Sequence, residues 1–322
     1  MQAKGASPLV CNVYQQCITG IGDKYLDVIM GAALSQLAGC KMPVVHMQQH
    51  WSSHTHDRMV KFDRNSNFSR VVSSSSGEPL FVTDQVCPSS NLSQWTNGSC
   101  VRKGWHLPLV VFYPCGAKRP SWIMESLLQR RDTPRNVSLA AVYTVMGRMA
   151  HSIRVLDCKG LPHDIGQRVG VHLRRGDKVR DHHDEWFAIY HSVPAWLIAN
   201  GHRHVFLASD DQSFLRDYAS RLSEAGFDVA LPASGADALD DVCALMRTRL
   251  VMMASLHSNF VALSAVVARR RMVVFNGTAT SLLDDFHRGW IEAGLLDVEI
   301  APMVQLQRES KGLVWNLSKW SV

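Results

Sequence analysis

The sequence predicts an α/β protein of two domains, each built on a parallel sheet, facing across a cleft. Three observations lead there. The second half of the 322-residue chain alternates short apolar runs with amphipathic stretches, a strand-helix rhythm that requires crossover connections and therefore parallel pairing. The first half opens on a strand, a glycine turn and a helix, the same unit in brief. A hydrophobic fraction of 46% over this length supplies apolar surface for roughly two cores.

The elements follow in order. Leu9 to Val13 reads as a strand, Thr19 to Lys24 as a turn through Gly20 and Gly22, and Tyr25 to Gly39 as a helix with Leu26, Ile29, Met30, Ala33, Leu34 and Leu37 at helical spacing. Met42 to His46 is the next strand. From His50 to Gly104 the chain turns to Ser, Asn, His and Gly, which predicts loops and short strands. A strand over Leu107 to Tyr113 and helices over Trp122 to Arg131 and Leu139 to Met149 come next, the last leading into the second domain. There, strands are expected at Arg168 to Leu173, His204 to Ala208, Asp228 to Leu231, Leu250 to Met253 and Met272 to Phe275. Helices are expected at Glu185 to Ile198, Gln212 to Ala225, Ala236 to Met246 and Phe260 to Ala268. The domains then divide as 1–138 and 139–300, with 301–322 as a tail.

Charge excludes one class of function. Lys and Arg number 34 against 28 Asp and Glu, a balance of +6, and charged residues are only 19% and spread along the chain, without the basic stripe of a nucleic-acid binder. No apolar run reaches the ~18 residues needed to cross a bilayer. Eight cysteines lack zinc-site spacing, and six of ten asparagines (Asn67, Asn91, Asn97, Asn136, Asn276, Asn316) begin an N-x-S/T sequon, where chance gives roughly one. These counts point to a secretory lumen, with a leader or membrane anchor upstream of this Met1. The alternative is a cytosolic chain whose sequons are accidental.

The chemistry concentrates in Val171-His172-Leu173-Arg174-Arg175-Gly176-Asp177-Lys178, which places charged groups just past the end of a buried strand. Paired guanidinium groups suit a diphosphate, because each grips oxygens bidentately and stays charged. Asp177 can orient an arginine and Lys178 adds a point charge. Taken alone, the stretch also fits a solvated basic loop. No Asp-x-Asp, the usual metal-nucleotide clamp, occurs in the chain. A nucleotide sugar bound here would have its leaving charge neutralised by Arg174 and Arg175. The acceptor hydroxyl needs a base, and acids lie just beyond Lys178: Asp181, Asp184 and Glu185. These same acids could serve only to cap the following helix.

His172 to Lys178 resembles the first of three peptide motifs of the α1,2-, α1,6- and protein O-fucosyltransferase superfamily, closest to the α1,6 enzymes. Ala208-Ser209-Asp210-Asp211-Gln212 is similar to the second motif, and Asp241-Val242-Cys243-Ala244-Leu245 with His257-Ser258-Asn259-Phe260 to the third. The resemblance covers about Arg168 to Phe275. It implies two Rossmann-like domains of the GT-B type, and an inverting transferase, placed in the Golgi, that moves fucose from GDP-fucose to a glycan or protein hydroxyl without a metal or other cofactor. The domain of residues 1–138 would face the acceptor and that of 139–300 the nucleotide sugar.

By motif, Arg174 and Arg175 would hold the diphosphate with Lys178 beside them, supported by His172 and Asp177. Asp210, Asp211, Asp241, Ser258 and Asn259 would surround the nucleotide, and Gly20 and Gly22 would form the glycine turn of the other domain. The α1,6 enzymes place a glutamate where this chain has His182, so a longer loop would bring Asp184 to the base position, with Glu185 next and His182 third. The same fold with another nucleotide sugar, or a catalytically silent glycan-binding or adhesion protein, are the alternative functions.

Overall fold

The computed structural model describes residues 10–15, 29, 42–47, 71–73, 109–113, 139–174, 183–255, 258–276 and 285–303. The expected helices over Tyr25 to Gly39 (Ile29 aside) and Trp122 to Arg131 lie outside these residues. The chain separates into two compact units, the described elements up to Leu156 belonging to the first and those from Asp157 to the second.

In the first unit, β1 (Val10–Gln15) pairs in parallel with β2 (Met42–Met47) on one side and with β4 (Leu109–Tyr113) on the other, giving the order β2-β1-β4. A helix, α1 (Leu139–His151), leads into β5 (Ile153–Val155), which pairs antiparallel with β3 (Val71–Ser73). That pairing draws α1 into the first unit, although the sequence read it as the lead-in to the second.

The second unit is a six-stranded sheet in which every pairing is parallel, in the order β11-β10-β9-β6-β7-β8. Its strands are β6 (Val169–Leu173), β7 (His204–Ser209), β8 (Asp228–Ala230), β9 (Leu250–Ala254), β10 (Met272–Asn276) and β11 (Val298–Pro302). The crossovers are α2 (His183–Ala199), α3 (Gln212–Glu224), α4 (Ala238–Arg247), α5 (Asn259–Ala268) and α6 (Asp285–Glu292).

The two-residue side-chain period of the strands sorts these helices into layers. Val169, Val171 and Leu173 join Val205, Leu207, Met252 and Phe275 in a core with Ile189 and Val193 of α2 and Leu215 and Leu222 of α3. The residues between them face α4: a Cβ on Gly170 would stand 2.8 Å from both Leu245 and Thr248, so the helix crosses β6 where no side chain intervenes. Buried on both faces, β9 reads as an unbroken apolar run and β6 as one interrupted only at His172, which is why they were legible without alternation. At the amino-terminal edge of the sheet Arg168 is buried, and its guanidinium bonds to Asp164, to Asp228 and to the Val205 carbonyl.

Candidate functional site

Strand order reverses beside β6: the chain runs outward through β7 and β8, then returns to β9 on the other flank of β6 and continues to β10 and β11. The crossovers leave a crevice at such a switch point, beyond the carboxyl ends of the strands. Arg174 emerges there, immediately after β6, and is half-buried.

Its main chain is fixed by two side-chain hydroxyls. Ser209 at the end of β7 donates to the Leu173 carbonyl at 2.6 Å, and Tyr190 of α2 donates to the Arg174 carbonyl at 2.8 Å. The Ser209 bond is buried and the Tyr190 bond part-buried, so both carbonyls at the end of β6 have a side-chain donor.

His172 points to the other face. Its Nδ1 lies 3.3 Å from the hydroxyl of Ser258, and its ring stacks on Phe260 with centroids 4.9 Å apart. Burial lowers its pKa to about 3, with the Arg174 charge adding to the effect, so the imidazole is neutral at working pH. A neutral ring here can orient neighbours but carries no charge to a phosphate.

Ser258 is the N-cap residue of α5 yet makes no side-chain capping bond, its hydroxyl being turned to His172. The start of α5 lies on the same side of the sheet as the carboxyl ends of β6 and β9, and a helix start carries the positive end of the helix dipole. Asn259 begins that helix. Ser255, one residue beyond β9, is buried with a hydroxyl that meets no partner.

Asp241 lies in the first turn of α4 and is also buried. Desolvation, then the neighbouring Asp240 and Asp237, raises its pKa well above the usual carboxylate range. Asp240 is held differently: the N–H groups of Lys159 and Asp237 donate to its two oxygens at 3.0 and 2.9 Å.

The second-motif acids also separate. Asp211 is the N-cap of α3, its Oδ1 accepting from Ser213 N–H, Ser213 hydroxyl and Phe214 N–H, whereas Asp210 sits directly at the carboxyl end of β7. Asp184 and Glu185 fall inside the first turn of α2, which begins two residues earlier than the sequence indicated. Their side chains lie outside the described residues, as do Arg175, Asp177, Lys178, His182, Gly20 and Gly22.

The crevice thus gathers His172, Arg174, Asp210, Ser258 and Asn259 at one edge of one sheet. Sequence reasoning missed Tyr190 and Ser209 as partners of these carbonyls. Ser209 stood within the second motif, but nothing in its spacing says which carbonyl its hydroxyl meets.

Among the described residues, one cluster has metal-ligand atoms close together: Asp164, His204 and Asp228, within 4.8 Å. It sits at the opposite, amino-terminal edge, where Arg168 already pairs with both carboxylates at 2.8 Å. The cluster is structural charge pairing, remote from the crevice.

By fold, then, the second unit is a doubly wound parallel α/β unit with its polar residues at the switch point. No protein-family model matches the chain, and no curated protein does. Among solved structures it is similar to the NodZ α1,6-fucosyltransferase of Bradyrhizobium co-crystallized with GDP, at 17% identity and a TM-score of 0.45, over 84% of this chain and 96% of that one. It is similar as well to POFUT1 in its apo form, at 13% identity and a TM-score of 0.46, over 84% and 99% of the two chains. A third likeness is to POFUT1 in complex with GDP-fucose, at 13% identity and a TM-score of 0.44, over 83% and 96%.

Proposed function

We propose that the chain is an inverting glycosyltransferase that moves fucose from GDP-fucose to a hydroxyl of a glycan or protein, independently of metal. The observation that carries this reading is Arg174 leaving β6 at the switch point with its main chain pinned by Ser209 and Tyr190, on the side of the sheet where α5 starts. A guanidinium carried on a held main chain and a helix N-terminus together suit a diphosphate, and the three-motif resemblance supplies the sugar.

In the reaction, a base takes the acceptor proton, the acceptor oxygen forms its bond to the anomeric carbon from the face opposite the phosphate, and the carbon–oxygen bond to GDP breaks. One displacement inverts the centre. Arg174 and Arg175, with Lys178, stabilise the charge gathering on the departing diphosphate. Asp184 is the first candidate base and Glu185 the second, both on the opening turn of α2. The first unit is the proposed acceptor-side domain. The proposed compartment is the secretory lumen, in agreement with the sequons and with a Cys158–Cys243 disulfide.

The test is a panel of labelled nucleotide sugars with and without chelator, reading nucleotide release. GDP-fucose turnover insensitive to chelator is expected, and Arg174→Ala should lower kcat/KM by about a hundredfold or more. Turnover of a different donor, or parental activity in Arg174→Ala, would overturn the assignment.

A further inference from the structure

Helix α2 contains a proline at position 194. In an α-helix the N–H of a residue bonds the carbonyl four positions earlier, so Pro194 deprives the Tyr190 carbonyl of its helical donor. The structure supplies another from outside the helix: the hydroxyl of Tyr218 on α3 donates to the Tyr190 carbonyl at 2.8 Å, with Tyr218 fully buried.

The same residue whose carbonyl Pro194 frees is the one whose side chain holds the Arg174 carbonyl. Its ring packs on Phe214 at 4.9 Å and on Tyr218 at 6.1 Å, and Phe214 is fastened in turn by the Asp211 cap. On the neighbouring strand, the Ser209 hydroxyl that holds the Leu173 carbonyl accepts the Asp211 N–H at 3.1 Å. Both carbonyls at the mouth of the crevice are therefore tied to α2 and α3 through a connected set of hydrogen bonds and rings.

We infer that Tyr190 is a positioning residue for the arginine segment, and that Pro194 and Tyr218 exist as a matched pair: the proline opens a carbonyl in α2 that the α3 hydroxyl claims, locking Tyr190 so that its own hydroxyl fixes Arg174. This inference rests on the proposed donor site at Arg174. It adds that the nucleoside diphosphate is held by an arginine whose backbone is placed from two helices away. The second motif then contributes to donor binding through Asp211 without its carboxylate touching the nucleotide.

A double-mutant cycle with GDP as the probe separates the possibilities. Tyr190→Phe keeps the ring and removes only the hydroxyl. It should weaken GDP binding roughly tenfold when measured far below the unfolding temperature, as loss of one buried hydrogen bond allows. Tyr218→Phe removes this donor from the Tyr190 carbonyl and should lower Tm by roughly 3–8 °C and GDP affinity several-fold. In the Pro194→Ala background the helix regains its own donor, and Tyr218→Phe should then cost little in either measurement.

Equal Tm losses with and without Pro194 would overturn the matched pair, and parental GDP affinity in folded Tyr190→Phe would overturn the positioning role. A merely structural tyrosine would move Tm and leave the affinity of the folded protein alone. A parent protein that binds no nucleoside diphosphate overturns the functional reading and the positioning role with it, while the Tm cycle still decides the exchange between Pro194 and Tyr218.

Discussion

Asp241 and His172 are both pushed toward their neutral forms by burial, and the consequences for stability have opposite signs. His172 has a pKa of about 3 in the fold against 6.5 outside it, and His191 about 4, chiefly through desolvation. Between those values the unfolded chain binds more protons, so stability falls as pH drops from 6.5 toward 3, by up to about 1.4 kcal/mol per pH unit for each group. Asp241 has a raised pKa, so above 3.8 the folded state holds the extra proton and stability falls as pH rises. Asp241→Asn, which mimics the neutral carboxyl, should therefore raise Tm at pH 7 and leave a steeper loss on acidification. His172→Asn should do the reverse, flattening the acid limb by up to about 1.4 kcal/mol per unit. Thermal melts from pH 4 to 8 read both, and a pH-independent difference between Asp241→Asn and the parent would show that the carboxyl is charged in the fold.

At the scale of elements, Asp211 shows how a residue singled out by motif resemblance can act through a helix end. Its oxygen takes three hydrogen bonds at the start of α3, and Asp211→Ala should cost about 1 kcal/mol through the lost cap. Any loss of GDP affinity should come indirectly, with Asp211→Asn recovering most of both. A collapse of binding in Asp211→Asn without loss of Tm would mean that the carboxylate meets the nucleotide. Gly170 is a second such case: alanine would crowd Leu245 and Thr248, where α4 crosses β6, and should destabilise by about 1–3 kcal/mol in chemical denaturation.

Strands β6 to β10 and helices α2 to α5 of the second unit were legible as alternating apolar and amphipathic runs, whereas α6 was not. β3 and β5 were not, since three-residue strands 80 positions apart carry no period, and neither was β11, whose Glu299 and exposed Ile300 break the apolar pattern. Glu299 instead accepts from Trp196, a tertiary bond that anchors the edge strand to α2. In the site, Arg174 could be read from its place after a strand. The tyrosine pair could not, because Pro194 inside a helix marks an unmet carbonyl without saying which side chain answers it.

For the chain as a whole, the feature that bears on the proposed compartment is the disulfide that ties Cys158, at the start of the second unit, to Cys243 in α4. It closes a loop with a sequence separation of 85 that contains β6, α2, β7, α3 and β8. Restricting so long a loop in the unfolded chain is worth roughly 4–5 kcal/mol on the entropic model. Close contacts surround the crosslink: Lys159 N–H reaches Asp240, and Gly160, at a φ of +59°, brings its backbone so close to Ala233 that a side chain would collide. Reduction would thus loosen α4 together with its buried Asp241. Cys158→Ala should lower Tm by on the order of 10 °C, and Cys243→Ala by the same amount, the double variant adding nothing further because both remove one bond. Protein made behind a secretion leader should carry the disulfide and lose mass on glycosidase treatment. Protein made in a reducing cytosol should match the Cys158→Ala variant in Tm until it is oxidised. If the cytosolic product is already as stable as the secreted one and both alanine variants melt with the parent, the disulfide does not hold this fold and the luminal assignment loses its structural support.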